Sequence, residues 1–145
     1  MAIVRVSTAM GRALLADQSP APQKYGAKSM TVDGFFFRST GEATRYGWLK
    51  WRLKAGQITN LTLQTPFTLH VCNLATGELT AIGDYVCDFD YLEDGQRIVE
   101  DWKGMATLPL AKWKIKHLNA EYGIIVRETR KPLRQAARRG SRGGR

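Results

Sequence analysis

The sequence contains few of the residues that build disulfide frameworks or zinc sites. Of its 145 residues, only two are cysteine and two are histidine. Cys72 and Cys87 lie in no CxxC pair, whereas disulfide-stapled domains and structural zinc sites need several closely spaced ligands. The composition therefore argues against both kinds of site and predicts reduced thiols, as in a cytoplasmic protein.

Long apolar stretches are also missing. A membrane-spanning helix needs about 20 consecutive apolar residues, and the apolar runs of this chain are far shorter. Residues 1–17 carry arginine and little acid, but they lack the apolar core of a signal peptide. We therefore expect no membrane partner and a cytoplasmic location.

Acidic residues are scarce relative to basic ones. The formal net charge is +9, and residues 127–145 hold seven Arg, one Lys and one Glu, which leaves only +2 for the preceding chain. A flexible Arg- and Gly-rich segment binds nucleic acid through phosphates, with steep salt dependence and little specificity. The charge therefore predicts a nucleic-acid partner, engaged largely by the C-terminal end.

The chain divides into three segments by composition. Residues 1–23, which end in a proline-containing stretch, are expected to form a flexible N-terminal segment. Residues 24–126 contain the alternating and helical apolar patterns of one core domain. Residues 127–145 form the basic tail.

Within the core, apolar spacing and turn residues predict the order helix, strands, helix, strand. This order indicates an α/β fold with a mixed sheet flanked by helices. The predicted elements are an extended Phe35–Phe37 after an Asp33-Gly34 turn, a helix at 41–55, strands within 57–69 interrupted at Pro66, a turn at 73–78, strands 84–92 and 96–103, a helix from 107 to 122 and a strand at 123–127.

The strands on either side of Asp94-Gly95 carry the most informative pattern. Side chains alternate between faces along a strand, so Asp88 and Asp90 share one face, while Phe89 and its alternate neighbours form an apolar face. A two-residue turn at Asp94-Gly95 places Asp88 directly opposite Asp101. Lys103 then lies on the same face, and a longer turn would shift the register without changing the face.

Opposed carboxylates repel each other across an antiparallel pair. A hard divalent cation offsets that repulsion, and Mg²⁺ prefers carboxylate oxygens while keeping water and phosphate oxygens as further ligands. The pattern therefore predicts a Mg²⁺ site, with Mn²⁺ as a substitute. Lys103 could position or deprotonate an attacking water, or stabilise charge on a phosphate as a fixed cation.

The segments Tyr85–Tyr91 and Val99–Gly104, joined by a hairpin, resemble the core of the PD-(D/E)xK nuclease superfamily. The resemblance is closest to phage-encoded members related to endonuclease I-type Holliday junction resolvases. It implies a restriction-endonuclease-like core, and a host-cell cytoplasmic location if the chain is phage-encoded. Two positions depart from the pattern: Cys87 replaces the usual Pro, and Asp101 replaces the more usual Glu.

The resemblance also implies roles for individual residues. Asp88 and Asp101 correspond to metal ligands, and Lys103 to the catalytic lysine. Glu42, within Phe37–Ala43, matches the helix acid that often completes the site as a third metal ligand. Gln64 is expected to have a supporting role. Glu100 is a second-ranked acidic candidate, because alternation puts it on the face opposite Lys103.

The expected function is Mg²⁺-dependent hydrolysis of phosphodiester bonds in branched or duplex DNA during phage DNA metabolism. The resemblance further implies a homodimer, and we expect no small-molecule cofactor. The alternative is a non-catalytic nucleic-acid-binding module that uses the basic tail. Trp48, Trp51 and Trp113 are expected at the core or its edge. The expected DNA contacts are Lys112, Lys116, Arg130, Lys131, Arg134, Arg138 and Arg139.

Overall fold

A computed structural model describes residues 4–6, 28–104 and 106–130 of the chain. These residues form an α/β fold around a mixed sheet, as the sequence pattern predicts. The strands are β1 Arg5–Val6, β2 Met30–Val32, β3 Phe35–Phe37, β4 Ile58–Leu63, β5 Pro66–Cys72, β6 Leu79–Val86, β7 Phe89–Glu93, β8 Gln96–Trp102 and β9 Val126–Thr129, and the described helices are α1 Thr40–Lys54 and α2 Pro109–Tyr122.

Five strands make the central sheet, in the order β1-β4-β7-β8-β9. The β4–β7 and β7–β8 pairs are antiparallel, whereas β1 and β9 run parallel to their neighbours. Two further antiparallel pairs, β2–β3 and β5–β6, lie outside this sheet. The central strands therefore receive cover from separate hairpins and helices on their two faces.

Helix α1 begins and ends close to the predicted positions. Ser39 is its N-cap in an extended conformation, and the Ser39 hydroxyl accepts a hydrogen bond from the amide of Glu42. Ala55 caps the C-terminal end, and Gly56 follows with a left-handed φ of 71°. The buried side of the helix carries Ala43, Tyr46, Leu49 and Leu53 at helical spacing.

The β7–β8 hairpin has the predicted two-residue turn. Asp94 and Gly95 both have positive φ, 51° and 77°, which is the geometry of a type I′ turn. Glu93 consequently pairs with Gln96, and the register continues to Phe89 opposite Glu100. One step beyond the paired residues, this register brings Asp88 beside Asp101, and the Asp88 amide donates to Oδ1 of Asp101 at 3.2 Å, in agreement with the predicted opposition.

The predicted strand 84–92 is in fact two strands. β6 ends at Val86 and pairs with β5, while β7 starts at Phe89 and pairs with β4 and β8. Cys87 and Asp88 connect them, and the alternation of faces breaks at this connection. The expectation of one common apolar face is therefore wrong, because Phe89 and Cys87 belong to different core clusters.

Each face of the sheet has its own core. The cluster beneath α1 contains Tyr46, Leu49, Phe89 and Tyr91, with Trp102 packed against it. The second cluster brings β5, β6 and α2 together and includes Phe67, Leu69, Tyr85, Cys87, Val99 and Leu118. Asp88 and Asp101 thus lie beside well-packed strands, and their surroundings are drier than those of an exposed hairpin.

The two ends of the fold differ from expectation. Arg5 and Val6 pair in parallel with Thr62 and Leu63, so the prediction of a flexible segment is wrong for these two residues. Strand β9 runs from Val126 to Thr129, so it starts three residues later and ends two residues later than the predicted strand, and it passes the predicted domain boundary at residue 126. Parallel pairing with β8 carries Arg127 to Thr129 into the sheet.

The tryptophans are more exposed than expected. Trp48, Trp51 and Trp113 have exposed fractions of 47%, 59% and 49%, which contradicts their predicted place at the core or its edge. Trp48 and Trp51 project from the outer side of α1, whose inner side Leu49 and Tyr46 already fill. Among the described residues, neither helix is long and apolar enough to cross a membrane.

Candidate active site

Asp88 and Asp101 lie side by side where β7 and β8 approach the connection from β6. The amide nitrogen of Asp88 donates to Oδ1 of Asp101 at 3.2 Å, and the amide nitrogen of Trp102 donates to Oδ2 of Asp88 at 2.7 Å. Each carboxylate therefore accepts a main-chain hydrogen bond from the opposite strand end. The hairpin register holds the two acids together without help from a ligand.

Lys103 and Tyr85 both contact Asp101. The Lys103 amine lies 2.9 Å from Oδ2 of Asp101 as an ion pair, and the Tyr85 hydroxyl donates to the same oxygen at 2.6 Å. Lys103 follows the last residue of β8, and its amide donates to the carbonyl of Thr129 in the parallel neighbour β9. The predicted trio of Asp88, Asp101 and Lys103 is thus brought together.

Glu42 reaches the same region from the first turn of α1. Its Oε2 accepts a hydrogen bond from the amide of Arg38 at 3.1 Å, so it also satisfies a main-chain donor at the helix start. Glu42 and Asp88 line one cleft together with Phe36, Phe37, Leu63, Gln64 and Phe89. The structure therefore places Glu42 on the Asp88 side of the pair.

A glycine permits this approach of the helix. A Cβ atom built on Gly41 would lie 2.3 Å from Nε1 of Trp102, far inside van der Waals contact. The start of α1 therefore packs directly on the indole of the residue between Asp101 and Lys103. No side chain other than hydrogen fits at residue 41 without movement of the helix or the ring.

Burial and neighbouring carboxylates raise the pKa values of Asp88 and Glu42. Burial, together with the negative charges of Glu42 and Asp101, raises the pKa of Asp88 to about 7. Burial also raises the pKa of Glu42, and the charge of Asp101 acts in the same direction. Two partly buried acids whose pKa values are raised next to a third acid form an electrostatic pattern that a divalent cation would relieve.

Gln64 supports Asp88 through the main chain. It occupies the turn between β4 and β5 with a left-handed φ of 52°, and its amide donates to the carbonyl of Asp88 at 3.1 Å. Its side chain lines the same cleft as Glu42 and Asp88. A non-glycine residue in this conformation is uncommon and is enriched at functional positions.

Glu100 lies on the opposite face of β8, as alternation predicts. It is completely buried and receives a two-point ion pair from Arg45, at 2.6 and 2.8 Å, with further hydrogen bonds from Tyr91 and Thr129. Burial alone would raise its pKa, but the bonds from Arg45 and Tyr91 hold the pKa below its usual range. Glu100 is therefore no substitute for Asp101 as a metal ligand.

Asp90 has a structural partner as well. Its carboxylate accepts two hydrogen bonds from Arg97, at 3.0 and 2.6 Å. The exposed fraction of Asp90 is 9%, so this carboxylate is largely covered. The pair with Arg97 separates this acid from the Asp88 group.

The expected DNA-contacting residues are only partly within the described chain. Lys112 and Lys116 are exposed on α2, and Arg130 is exposed just after β9, where its guanidinium pairs with Glu128 at 3.3 Å. The remaining four, Lys131, Arg134, Arg138 and Arg139, lie outside the described residues.

The carboxylate oxygens near Asp88 could hold a Mg²⁺ ion, although they do not form a preformed metal cage. Within residues 4–6, 28–104 and 106–130, no three acidic, His or Cys side chains already converge as closely as a bound metal requires. Mg²⁺ is commonly held by one or two carboxylates and keeps its other sites for water and phosphate. Asp88 and Asp101, with Glu42 nearby, provide such hard oxygen ligands.

Two contributors to the site were not predicted from the sequence. Tyr85 was assigned to the apolar face, yet its hydroxyl reaches Asp101; Arg45 was assigned no role, yet it neutralises Glu100. Both contacts join residues far apart in the chain. The sequence offered little sign of either contact: Tyr85 has a hydroxyl group within a β-rich segment, and Arg45 lies one helical turn after Glu42.

The chain belongs to the family described as "Protein of unknown function (DUF1064)", whose model matches residues 22–131. This match covers the whole of the described fold from β2 to β9. No curated protein and no solved structure matches the chain.

Proposed function

We propose that this protein is a Mg²⁺-dependent endonuclease that hydrolyses phosphodiester bonds in branched, Holliday junction-like, or duplex DNA. The proposal rests on one observation above all. Asp88 and Asp101 meet across the β7–β8 register, with the Lys103 amine 2.9 Å from Asp101. Two acids that can hold a metal ion, with an amine beside them, can carry out metal-assisted phosphodiester hydrolysis.

Asp88 and Asp101 are the residues that would hold the ion, and Glu42 stands at the edge of the same cleft. When bound, Mg²⁺ supplies a water of lowered pKa and neutralises charge on the phosphate oxygens. The raised pKa values of Asp88 and Glu42 support this assignment, because burial first and the neighbouring carboxylates second disfavour their ionised forms, and a bound cation would offset that cost. The main-chain bonds on both aspartates keep them in place before any ligand arrives.

Lys103 has two roles consistent with its position. Its ion pair with Asp101 holds the amine beside the carboxylates, where it can orient an attacking water or take a proton from it. The same amine, if it stays charged, stabilises the negative charge that develops on the phosphate. In either role it acts on groups bound next to Asp101.

DNA is the substrate class that the charge favours. The net charge is +9, and exposed Lys112 and Lys116 add cations on α2 to those of the C-terminal segment. Backbone contacts of this kind supply affinity without sequence specificity. Symmetric cleavage of two strands would require two active sites, and we include a homodimer in the proposal on that ground.

The decisive experiment compares cleavage by the full chain and three single variants. Wild type, Asp88→Ala, Lys103→Ala and Asp90→Asn are incubated with a four-way junction, a linear duplex and single strands, with Mg²⁺ or with EDTA. We expect Mg²⁺-dependent cutting by wild type that Asp88→Ala and Lys103→Ala abolish. Asp90→Asn is the matched control, because Asp90 is an acid two residues away whose partner is Arg97.

Electrophoretic binding assays on the same samples separate catalysis from recognition. If Asp88→Ala and Lys103→Ala still bind DNA but do not cut it, the substituted residues are needed for catalysis and not for recognition. Binding without cutting by wild type on every substrate, in Mg²⁺ and in Mn²⁺, would overturn the nuclease proposal and leave the binding module. Equal loss of activity in Asp90→Asn would show that the assay reports general damage.

Deletion of residues 131–145 also distinguishes a nuclease from a module that only binds DNA. This segment contributes six basic residues and no acidic ones. For a nuclease, the deletion weakens DNA binding and its salt dependence but preserves cutting at low salt. For a module that acts through its tail, the deletion removes all interaction with DNA.

A further inference from the structure

We propose that the Arg45–Glu100 ion pair is a positioning device that sets the distance between Glu42 and Asp101. This inference rests on the proposed nuclease function. It assigns a role to two residues on the side of the sheet away from Lys103. Neither would touch the substrate, so both would act through the acids that they hold apart.

The geometry of the pair restricts both partners. Arg45 Nε lies 2.6 Å from one oxygen of Glu100, and Nη2 lies 2.8 Å from the other. A two-point contact between a guanidinium and a carboxylate fixes their relative orientation as well as their distance. The Arg45 side chain is 17% exposed and that of Glu100 is fully buried, so water does not loosen the contact.

The pair joins the two elements that carry the acids. Arg45 follows Glu42 by three residues on α1, which places the two side chains on the same side of the helix one turn apart. Glu100 directly precedes Asp101 on β8. The ion pair therefore connects the turn after Glu42 to the residue next to Asp101.

Glu100 is itself held from two other strands. The Tyr91 hydroxyl of β7 donates at 2.7 Å, and the Thr129 hydroxyl of β9 donates at 2.9 Å. With Arg45, these donors satisfy both carboxylate oxygens in the buried site. Helix α1 is thus attached to one point that three adjacent strands share.

Stability alone is a weak reason for such a buried pair. Desolvation of two charges offsets much of their attraction, and a well-packed apolar replacement is often neutral. A two-point ion pair does, however, define one geometry where an apolar contact tolerates several. The location of this pair next to Glu42 and Asp101 makes that geometry relevant to the metal ligands.

A second ion pair on the same helix provides the matched control. Arg52, near the end of α1, pairs with Glu93 of β7. It also ties helix to sheet and is partly buried, but it lies more than two helical turns from Glu42. Its loss should affect stability without moving the metal ligands.

The test uses the full chain and compares Arg45→Met/Glu100→Gln, Arg45→Lys and Arg52→Met. The double variant removes the pair without leaving a buried unpaired charge, so that it folds. Mn²⁺ affinity by calorimetry, kcat and KM on a four-way junction, and urea unfolding are measured for each. We expect the double variant to lose roughly 10-fold or more in Mn²⁺ affinity and about 10- to 100-fold in kcat, with KM nearly unchanged.

The controls separate positioning from general destabilisation. Arg45→Lys keeps the positive charge but cannot make the two-point contact. We expect its Mn²⁺ affinity and kcat to lie between those of wild type and the double variant. Arg52→Met is expected to lower stability while leaving Mn²⁺ affinity and kcat within about twofold, since this partly buried pair lies more than two helical turns from Glu42. Wild-type Mn²⁺ affinity and kcat in the double variant would overturn the inference, as would equal losses in Arg52→Met. A wild type that neither binds Mn²⁺ nor cuts would instead refute the nuclease proposal itself.

Discussion

The main-chain amide of Trp102 donates a 2.7 Å hydrogen bond to Oδ2 of Asp88, which ties the end of β8 to the residue before β7. The Trp102 indole meanwhile packs against Gly41 at the start of α1. One residue thus contacts both the Asp88 carboxylate and the helix that carries Glu42.

Asp88→Asn should stabilise the metal-free protein at pH 8. Burial and two neighbouring acids raise the pKa of Asp88 to about 7, from 3.8 in an unstructured chain. The folded form therefore keeps a proton that the unfolded form loses, and the free energy of unfolding falls as pH rises from about 4 to about 7. Asn carries no charge and still accepts the Trp102 bond, so the gain is about 1 to 2 kcal/mol or more.

Urea unfolding of wild type and Asp88→Asn in EDTA, from pH 4 to pH 8, measures this difference. The wild-type curve should decline across that range relative to the variant. Asp90→Asn serves as the control, because it removes an acid two residues away whose partner is Arg97. Parallel curves for wild type and Asp88→Asn would contradict the prediction.

Metal affinity should rise with pH up to about 7 to 8. A protonated Asp88 cannot bind the ion, so affinity falls by about tenfold per pH unit below the pKa of this carboxyl. Calorimetric titration with Mn²⁺ at several pH values measures the midpoint. In Asp101→Asn, affinity should be lower throughout, and the midpoint should move to lower pH because one repelling charge on Asp88 is gone.

Gly41→Ala should disrupt the site, whereas Gly47→Ala should not. The added methyl at residue 41 would meet the Trp102 ring at 2.3 Å, so either the start of α1, which carries Glu42, or the Trp102 ring beside Asp101 must move. A Cβ at Gly47 has no neighbouring atom within 4 Å, and alanine there should stabilise the helix by roughly 0.5 to 1 kcal/mol. Thermal unfolding and cleavage assays check both, and equal behaviour of the two variants would refute the packing argument.

Tyr85→Phe should weaken the reaction more than it weakens the fold. The lost hydroxyl donates to Oδ2 of Asp101 at 2.6 Å, the oxygen that Lys103 also contacts. We expect about 1 kcal/mol of destabilisation and a fall of roughly 10-fold in kcat, because Asp101 loses an orienting donor. Tyr122→Phe, which removes a hydroxyl bond to the Thr68 carbonyl away from the site, should leave kcat unchanged.

Local chemistry accounts for what could be read correctly from the chain. Asp94-Gly95 favours a tight turn whatever surrounds it, and that turn alone places Asp88 opposite Asp101. Ser39 and Gly56 likewise mark the ends of α1, since caps act within one helical turn. The acid pair, the lysine and the mixed α/β class all follow from patterns a few residues long.

Long-range packing decides the features that the sequence did not predict. Arg45 finds Glu100 across 55 positions, and Tyr85 reaches Asp101 only because β6 leaves the hairpin's sheet at Cys87 and Asp88. The exposure of Trp48 and the place of β9 beside β8 also depend on which surfaces other elements cover. Composition and spacing identify the residues of the candidate site. The burial that raises the pKa of Asp88 arises only when distant segments pack around it, because desolvation depends on the whole folded core.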